Sequence, residues 1–133
     1  MQALLNPAQR LEPLPQRLYV VAFSAWKRPF LRLCFPGVKL VFVRSLSAVP
    51  PTEAAVVWGL RDEAALGSRS APVFHVEDGF FRSVGLGADL IRPVSWVVDR
   101  RGIYFDPRQA SDLEAILSAI EIDTDLAIRA ARL

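Results

Sequence analysis

Cysteine and histidine are almost missing from this sequence of 133 residues, which contains one of each, Cys34 and His75. A single cysteine excludes an intrachain disulfide and a thiolate cluster for a metal ion. A lone histidine is a poor metal ligand, and within a strand it is more often a packed side chain than a catalyst. We therefore expect no metal and no cofactor, and the cysteine content fits a reducing compartment.

The sequence also lacks a long apolar run and a dominant charge. No stretch approaches the roughly 20 apolar residues of a membrane span, and no run typical of a signal peptide lies near the N-terminus. Its 16 basic and 14 acidic residues are interspersed, for a formal charge of +2. This distribution gives no basic surface for nucleic acid, so we expect a cytoplasmic protein without a nucleic-acid partner.

Apolar residues, in contrast, are abundant, at 52% of the chain against 23% charged residues. This composition is enough to fill a core, and the length fits the prior of roughly 100–200 residues per domain. Residues 1–17 contain three prolines and are predicted to form an irregular leader. A single ordered domain is predicted over residues 18–133.

Short apolar segments indicate an α/β fold with a mostly parallel sheet. The candidate strands are residues 18–23, which could also begin a buried helix, and residues 38–43, 54–58 and 72–76. Residues 61–66 have helical composition. Strands without strict polar alternation, separated by loops or helices, are typical of a parallel sheet that is buried on both faces.

The C-terminal third predicts a β-hairpin followed by helices. Residues 94–99 and 102–105 are two apolar runs on either side of a pair of arginines, which favours two strands joined by a tight turn. Ser111 and Glu114 have the spacing of a capping box and precede apolar residues at helical intervals. A second helix is predicted to begin near residue 123.

The segment 76–87 is the candidate for chemistry. A strand runs directly into Glu77 and Asp78, and ligands of parallel α/β sheets bind beyond the carboxyl ends of the strands. Carboxyl groups beside two phenylalanines could exchange a proton with a hydroxyl group of a ligand. The segment also contains three glycines, which permit restricted backbone conformations or the close approach of a ligand: Gly79, Gly85 and Gly87.

A purely structural role remains open for each of these features. Glu77 or Asp78 could cap the following turn, and Arg82 could pair with one of them. Residues 26–33 place aromatic residues opposite basic ones, which suits either an anionic lipid surface or simple core packing. The sequence has no Gly-x-Ser-x-Gly elbow, Walker loop or His-Glu-x-x-His pair, so hydrolase or nucleotidase chemistry is unsupported.

Taken in order and with their spacing, several motifs resemble the capsule polysaccharide biosynthesis family of retaining β-Kdo transferases. The motifs span residues 77–87, 93–99, 102–106 and 111–114, with upstream similarity at residues 26–31 and 56–59. The resemblance implies transfer of Kdo from CMP-Kdo to a lipid-linked glycan acceptor in Gram-negative capsule assembly. It also implies a GT-B-like arrangement of two Rossmann-like halves, of which this chain resembles the acceptor-side half.

The resemblance assigns roles to individual residues. It makes Glu77 the acid/base residue, and it implies an acceptor pocket shaped by Asp78, Arg82, Ser83, Gly79, Gly85 and Gly87. The family's nucleophile motif, its Lys-Pro-His-Pro motif and its glycine-rich donor stretch have no match in the sequence. We therefore expect an incomplete domain that is inactive alone. We expect it in the cytoplasm or peripherally at the inner membrane. An incomplete two-domain enzyme should also expose an apolar patch that favours self-association.

Two other functions remain open at this stage. The chain could be a non-catalytic remnant that binds a lipid-linked glycan or a capsule-assembly partner. It could also be an unrelated flavodoxin-like binding domain that shares only the pattern of strands.

Overall fold

The structure, a computed structural model, describes residues 14–60, 67, 69–80 and 95–132. Within these residues a single five-stranded sheet forms, together with three α-helices and two short 3-10 helices at Ala25–Lys27 and Leu46–Ala48. The strands are β1 Arg17–Val21, β2 Lys39–Val43, β3 Ala55–Trp58, β4 Val73–Asp78 and β5 Trp96–Asp99. The α-helices are α1 Arg28–Cys34, α2 Asp112–Ala119 and α3 Thr124–Ala130.

The strands are arranged in the order β2-β1-β3-β4-β5. The first four are parallel, and β5 runs antiparallel to β4. The chain leaves β1 in one direction to form β2 and then crosses to the other side of β1 to form β3, so a topological switch point lies between β1 and β3. This arrangement confirms the predicted α/β fold with a mostly parallel sheet.

Both faces of the sheet are covered, as the unbroken apolar runs predicted. The face that packs against α1 carries the larger cluster of buried residues: Leu18, Val20, Phe23, Leu31, Phe35, Ala54, Val56, Phe74 and Val76. The opposite face carries a smaller cluster: Val21, Leu46, Val49, Ala55 and Val57. Consecutive residues of each strand alternate between these two clusters because side chains in a strand point to opposite faces in turn.

The segment after β1 shows how Pro29 is accommodated. A 3-10 turn precedes α1, and Pro29 occupies the first turn of that helix, where its missing N–H has no intrahelical acceptor to lose. Ser24 has extended backbone geometry, but its side chain makes no capping hydrogen bond. The helix therefore begins one residue before the proline, at Arg28, so that Pro29 lies in its first turn.

The predicted β-hairpin is wrong, because residues 102–105 do not form a strand. After β5 the chain turns around the carboxylate of Asp99, which is fully buried and accepts hydrogen bonds from four backbone N–H groups. Oδ1 accepts from Arg101 and Gly102, both at 2.9 Å, and Oδ2 accepts from Asp112 at 2.7 Å and Leu113 at 3.3 Å. These bonds direct the chain toward α2 rather than back along β5.

The two C-terminal helices begin where the sequence predicts. Ser111 Oγ accepts from the Glu114 N–H at 3.0 Å, and Glu114 Oε2 accepts from the Ser111 N–H at 2.7 Å, which is a complete capping box. Asp123 caps α3 through the Leu126 N–H at 2.7 Å. Neither helix contains a buried residue, and Leu117, Ile120, Ile122 and Ile128 are exposed.

Two predictions fall largely outside the described residues. These are the helical segment 61–66 and most of the leader, of which residues 1–13 are not described. Strand β1 begins at Arg17. Of the helices that the structure describes, none has the length and apolar character needed to cross a membrane.

We expect Asp99→Ala to lower the free energy of unfolding by roughly 3 kcal/mol or more, because four backbone donors, some of them buried, lose their acceptor. Asp99→Asn keeps one acceptor oxygen, so its free energy of unfolding should lie between those of Asp99→Ala and the unsubstituted protein. Urea unfolding followed by circular dichroism measures both. Glu121→Ala, at an exposed position, is the control and should change stability by less than about 0.5 kcal/mol. An Asp99→Ala variant as stable as this control would contradict the assigned role.

The capping box predicts a contribution to acid unfolding. Hydrogen bonds from the Ser111 backbone and side chain lower the pKa of Glu114 below its ordinary value. The stabilisation is therefore complete above the ordinary glutamate pKa and is lost as the pH falls through the lower, folded-state pKa. Glu114→Gln should lower stability at neutral pH and remove this part of the acid dependence, as measured by urea unfolding across pH 2–6; an unchanged acid limb would contradict the prediction.

Candidate functional site

The candidate site lies at the edge of the sheet where β1, β3 and β4 end and β5 begins. Two backbone positions at this edge have left-handed geometry, Ala22 with φ 54° and Gly59 with φ 59°. Among the described residues, Ala22 is the only non-glycine residue with positive φ. Such conformations are costly for residues with a Cβ atom and occur preferentially at functional sites. Together with the nearby switch point between β1 and β3, they make this edge the candidate for a ligand site.

Glu77 and Asp78 are the last two residues of β4 and therefore lie at this edge, as predicted. Their side chains point to opposite faces of the sheet, because consecutive strand residues alternate. Across the β4–β5 pair, Glu77 is opposite Val97 and Asp78 is opposite Trp96. The two carboxylates thus belong to different faces of the same edge and cannot act as a paired dyad, although the Asp78 N–H donates to Glu77 Oε1 at 3.1 Å.

Glu77 rests against Gly59, the residue that follows β3. A Cβ atom at Gly59 would lie 3.2 Å from Glu77 Oε2, which is closer than ordinary contact. The Gly59 N–H donates to the Val76 carbonyl at 2.9 Å, and His75 Nδ1 donates to the Gly59 carbonyl at 2.7 Å. Gly59 is therefore fixed on both sides, and it leaves the space that the Glu77 carboxylate occupies.

His75 is the buried support of this arrangement. Because a carbonyl oxygen only accepts, the proton of the bond to Gly59 belongs to Nδ1. The side chain is buried on the face of β4 that also carries Glu77, two residues farther along. This confirms the interpretation of His75 as a packed, hydrogen-bonded side chain next to the site.

Gly79 directly follows β4 and is hydrogen-bonded to Ser95, which directly precedes β5. Its N–H donates to the Ser95 carbonyl at 2.9 Å. A Cβ atom here would collide with Ser95 Oγ and would lie 3.0 Å from both the Cβ and the carbonyl carbon of Ser95. The close approach that this glycine permits is thus between two segments of the chain, and its assignment to an acceptor pocket stays a prediction.

The other predicted pocket residues, Arg82, Ser83, Gly85 and Gly87, lie outside the described residues. The alternative in which Arg82 simply pairs with Glu77 or Asp78 is therefore also untested. Within the part of the chain that the structure describes, no three histidine, cysteine, aspartate or glutamate side chains are grouped to hold a metal ion.

A cluster of aromatic rings lies on the Asp78 face of the edge. Trp58 and Trp96 pack edge to face with centroids 5.4 Å apart, and Phe30 contacts Trp96 at 6.1 Å. The Lys27 ammonium group lies above the Trp58 ring, 2.9 Å from its centroid. Aromatic and basic residues of segment 26–33 therefore fold onto the protein itself, which supports core packing over a lipid-facing surface.

A second aromatic group was missed from the sequence. Tyr104 lies between Phe80 and Phe105, with ring centroids 5.1 and 5.4 Å away, and its hydroxyl donates to the Asp78 carbonyl at 3.1 Å. The predicted strand at residues 102–105 would have put Tyr104 and Phe105 in the second strand of a hairpin, away from Phe80. The Asp-Pro pair at 106 and 107, a turn signal, was the feature that could have placed a turn here.

Comparison with known proteins identifies a family that includes this part of the chain. The sequence profile of the family described as "Capsule polysaccharide biosynthesis protein" matches residues 53–130, which include β3, β4, β5, α2 and α3. The chain belongs to this family. The resemblance seen in the motifs is therefore confirmed, and Glu77, Asp78 and Gly79 lie inside the matched region.

Individual relatives agree with this assignment. The chain is 37% identical to the lipopolysaccharide-processing protein LpsZ of Rhizobium meliloti, over 73% of this chain and 25% of that protein. It is 37% identical to the capsule polysaccharide modification protein LipA of Neisseria meningitidis, over 90% of this chain and 18% of that protein. The chain thus spans between about a fifth and a quarter of these curated relatives.

A solved structure shares the fold. The β-Kdo 2,7 transferase KpsC of Thermosulfurimonas dismutans superposes with a TM-score of 0.67 at 35% identity. The superposition covers 87% of this chain and 40% of that one. The architecture described above therefore matches one part of a larger family member.

We expect Gly79→Ala to destabilise the protein by roughly 1–3 kcal/mol, because the added methyl group overlaps Ser95 and forces β4 away from the start of β5. Gly67→Ala is the matched control, since a Cβ atom at Gly67 meets no atom of the described residues within 4 Å. Thermal and urea unfolding measure both variants. Equal stability of the two would show that the Gly79–Ser95 contact is not tight.

Proposed function

We propose that this chain is the acceptor-side, Rossmann-like half of a GT-B-like module that transfers β-Kdo from CMP-Kdo to a lipid-linked glycan acceptor during capsule assembly. The observation that carries the proposal is the place of Glu77, which lies at the carboxyl end of β4 inside the region matched by the family. The similarity to a β-Kdo 2,7 transferase, at 35% identity, supports the same chemistry.

Glu77 is the proposed acid/base residue. Retaining transfer by double displacement needs one carboxylate as a nucleophile and a second group that moves a proton to or from the departing and entering oxygen atoms. Glu77 suits the second role because its carboxylate occupies the space beside Gly59, whose own position is held by hydrogen bonds to His75 and Val76. Asp78 lies on the opposite face, where it would contact the acceptor rather than share the proton transfer.

The proposal leaves the nucleophile and the donor-binding groups to the other half of the module. The sequence contains one histidine, and it is not followed by proline, so the family's Lys-Pro-His-Pro motif is not in this chain. The chain alone is therefore proposed to be inactive. This same feature favours the second candidate, a non-catalytic module that binds a lipid-linked glycan or a capsule-assembly partner.

Location and assembly follow from the same proposal. CMP-Kdo as donor and a lipid-linked acceptor place the complete protein in the cytoplasm of a Gram-negative cell, peripheral to the inner membrane. Leu117, Ile122 and Ile128, on and between α2 and α3, are exposed apolar side chains. Self-association or docking of a second domain over these helices is proposed because it would bury them.

The test substitutes Glu77 by Gln in a complete module that contains this segment and measures Kdo transfer from CMP-Kdo to a synthetic lipid-linked acceptor. General acid/base catalysis typically contributes 10² or more, so we expect a loss of roughly 100-fold or more in rate. Glu121→Gln, an exposed glutamate between α2 and α3, is the matched control and should retain full activity.

The purified 133-residue chain serves as the reference without the second half and should give no transfer. An unchanged rate for Glu77→Gln removes Glu77 from the mechanism. A complete module that binds the glycan but transfers no Kdo from any variant supports the binding-module alternative.

A further inference from the structure

Three aromatic rings form a ridge beside the candidate site, and two of them are exposed. Phe80 is 70% exposed and Phe105 is 48% exposed, while Tyr104 lies between them. The Phe80 ring is tilted by 49° to the Tyr104 ring, and Phe105 meets Tyr104 edge to face at 87°. We call Phe80, Tyr104 and Phe105 the aromatic ridge. Exposed apolar side chains that are grouped, rather than scattered, mark binding surfaces.

The ridge is held in place by the surrounding backbone. The Tyr104 hydroxyl donates to the carbonyl of Asp78, the last residue of β4. On the other side, Ile103 is fully buried, and the Asp106 N–H donates to its carbonyl at 2.9 Å. Arg108 contacts the buried Asp106 carboxylate with two nitrogens, each at 2.8 Å. Tyr104 and the turn that carries Phe105 are therefore preorganised, which lowers the entropy cost of binding.

The chemistry of the neighbouring groups identifies the ligand class. The ridge is joined to the end of β4 by the hydrogen bond from the Tyr104 hydroxyl to the Asp78 backbone carbonyl. At this end of β4 the carboxylates of Glu77 and Asp78, one on each face of the sheet, are hydrogen-bond acceptors. Aromatic faces next to hydrogen-bond acceptors complement a pyranose ring, which has an apolar face of C–H groups and a rim of hydroxyl donors. Two carboxylates would instead repel the phosphates of an anionic lipid surface.

We propose that the aromatic ridge stacks against a pyranose ring of the acceptor glycan and holds it beside Glu77. This inference rests on the proposed function, because it takes the glycan to be the acceptor. It adds a binding surface and a ligand class to the proposed site: a hydroxyl-rich pyranose ring bound by stacking, with Phe80 and Phe105 as the contact residues.

The test measures binding to the isolated 133-residue chain by saturation-transfer NMR. The probes are methyl β-D-galactopyranoside, methyl β-D-glucopyranoside and the methyl glycoside of Kdo. We expect saturation of ring C–H protons of at least one probe, and Phe80→Ala or Phe105→Ala should raise its Kd by roughly three- to tenfold. Both positions are exposed, so these variants should fold, as circular dichroism will verify.

Leu33→Ala is the matched control, because Leu33 is a 78% exposed apolar residue of α1 with no place in the ridge, and it should bind as the parent does. Tyr104→Phe keeps the ring but removes the bond to Asp78, so it should weaken binding less than loss of a flanking ring. Sedimentation with phosphatidylcholine and phosphatidylglycerol vesicles tests the lipid alternative. Absence of saturation transfer to all three glycosides, or vesicle binding that depends on Phe80, overturns the proposal.

The complete module separates this inference from the proposed function. If Phe80→Ala and Phe105→Ala leave the KM for the acceptor unchanged while Glu77→Gln abolishes transfer, the stacking surface is wrong and the function stands. If the glycosides bind through the ridge but neither the unsubstituted module nor any variant transfers Kdo, the proposed transferase function is wrong and the stacking surface stands.

Discussion

The buried carboxylate of Asp99 organises the C-terminal part of the described fold. It lies at the end of β5, is fully buried, and accepts four backbone hydrogen bonds, from the turn at residues 101 and 102 and from the first turn of α2. A buried carboxylate needs such partners, because an unpaired one would be strongly destabilising. By fixing where the chain goes after β5, Asp99 also brings the following turn back to β4, where Tyr104 contacts Asp78.

The carboxyl edge of the sheet is divided by the alternation of strand β4. Glu77 shares its face with His75, which supports Gly59, whereas Asp78 faces the aromatic cluster around Trp96. Two adjacent acids in the sequence therefore have separate surroundings. The proposed acid/base role and the proposed acceptor contact therefore fall to different residues, because strand geometry, and not separation in the sequence, decides which groups meet.

Local signals predicted much of the fold. The apolar runs at residues 38–43, 54–58 and 72–76 became β2, β3 and β4, and the Ser111–Glu114 spacing became the observed capping box. Residues 18–23 could be predicted either as a strand or as a buried helix, because their strand conformation depends on pairing with β2 on one side and β3 on the other. The hairpin failed for a similar reason: its two apolar runs are a valid hairpin pattern, and only the burial of Asp99 under α2 directs the chain elsewhere. The contacts of Glu77 with Gly59 and of Tyr104 with Asp78 join residues 18 and 26 positions apart, which no local pattern specifies.

The placement of the tryptophans has a practical consequence. The chain contains three, Trp26, Trp58 and Trp96, and all contribute to the aromatic cluster at the carboxyl edge. Light absorbed at the red end of the indole band is therefore absorbed almost entirely at one edge of the molecule. Intrinsic emission from this protein reports on the surroundings of the candidate site, with Lys27 close to Trp58 as a built-in electrostatic perturbation. A change in emission on adding a compound would point to that edge before any label is attached.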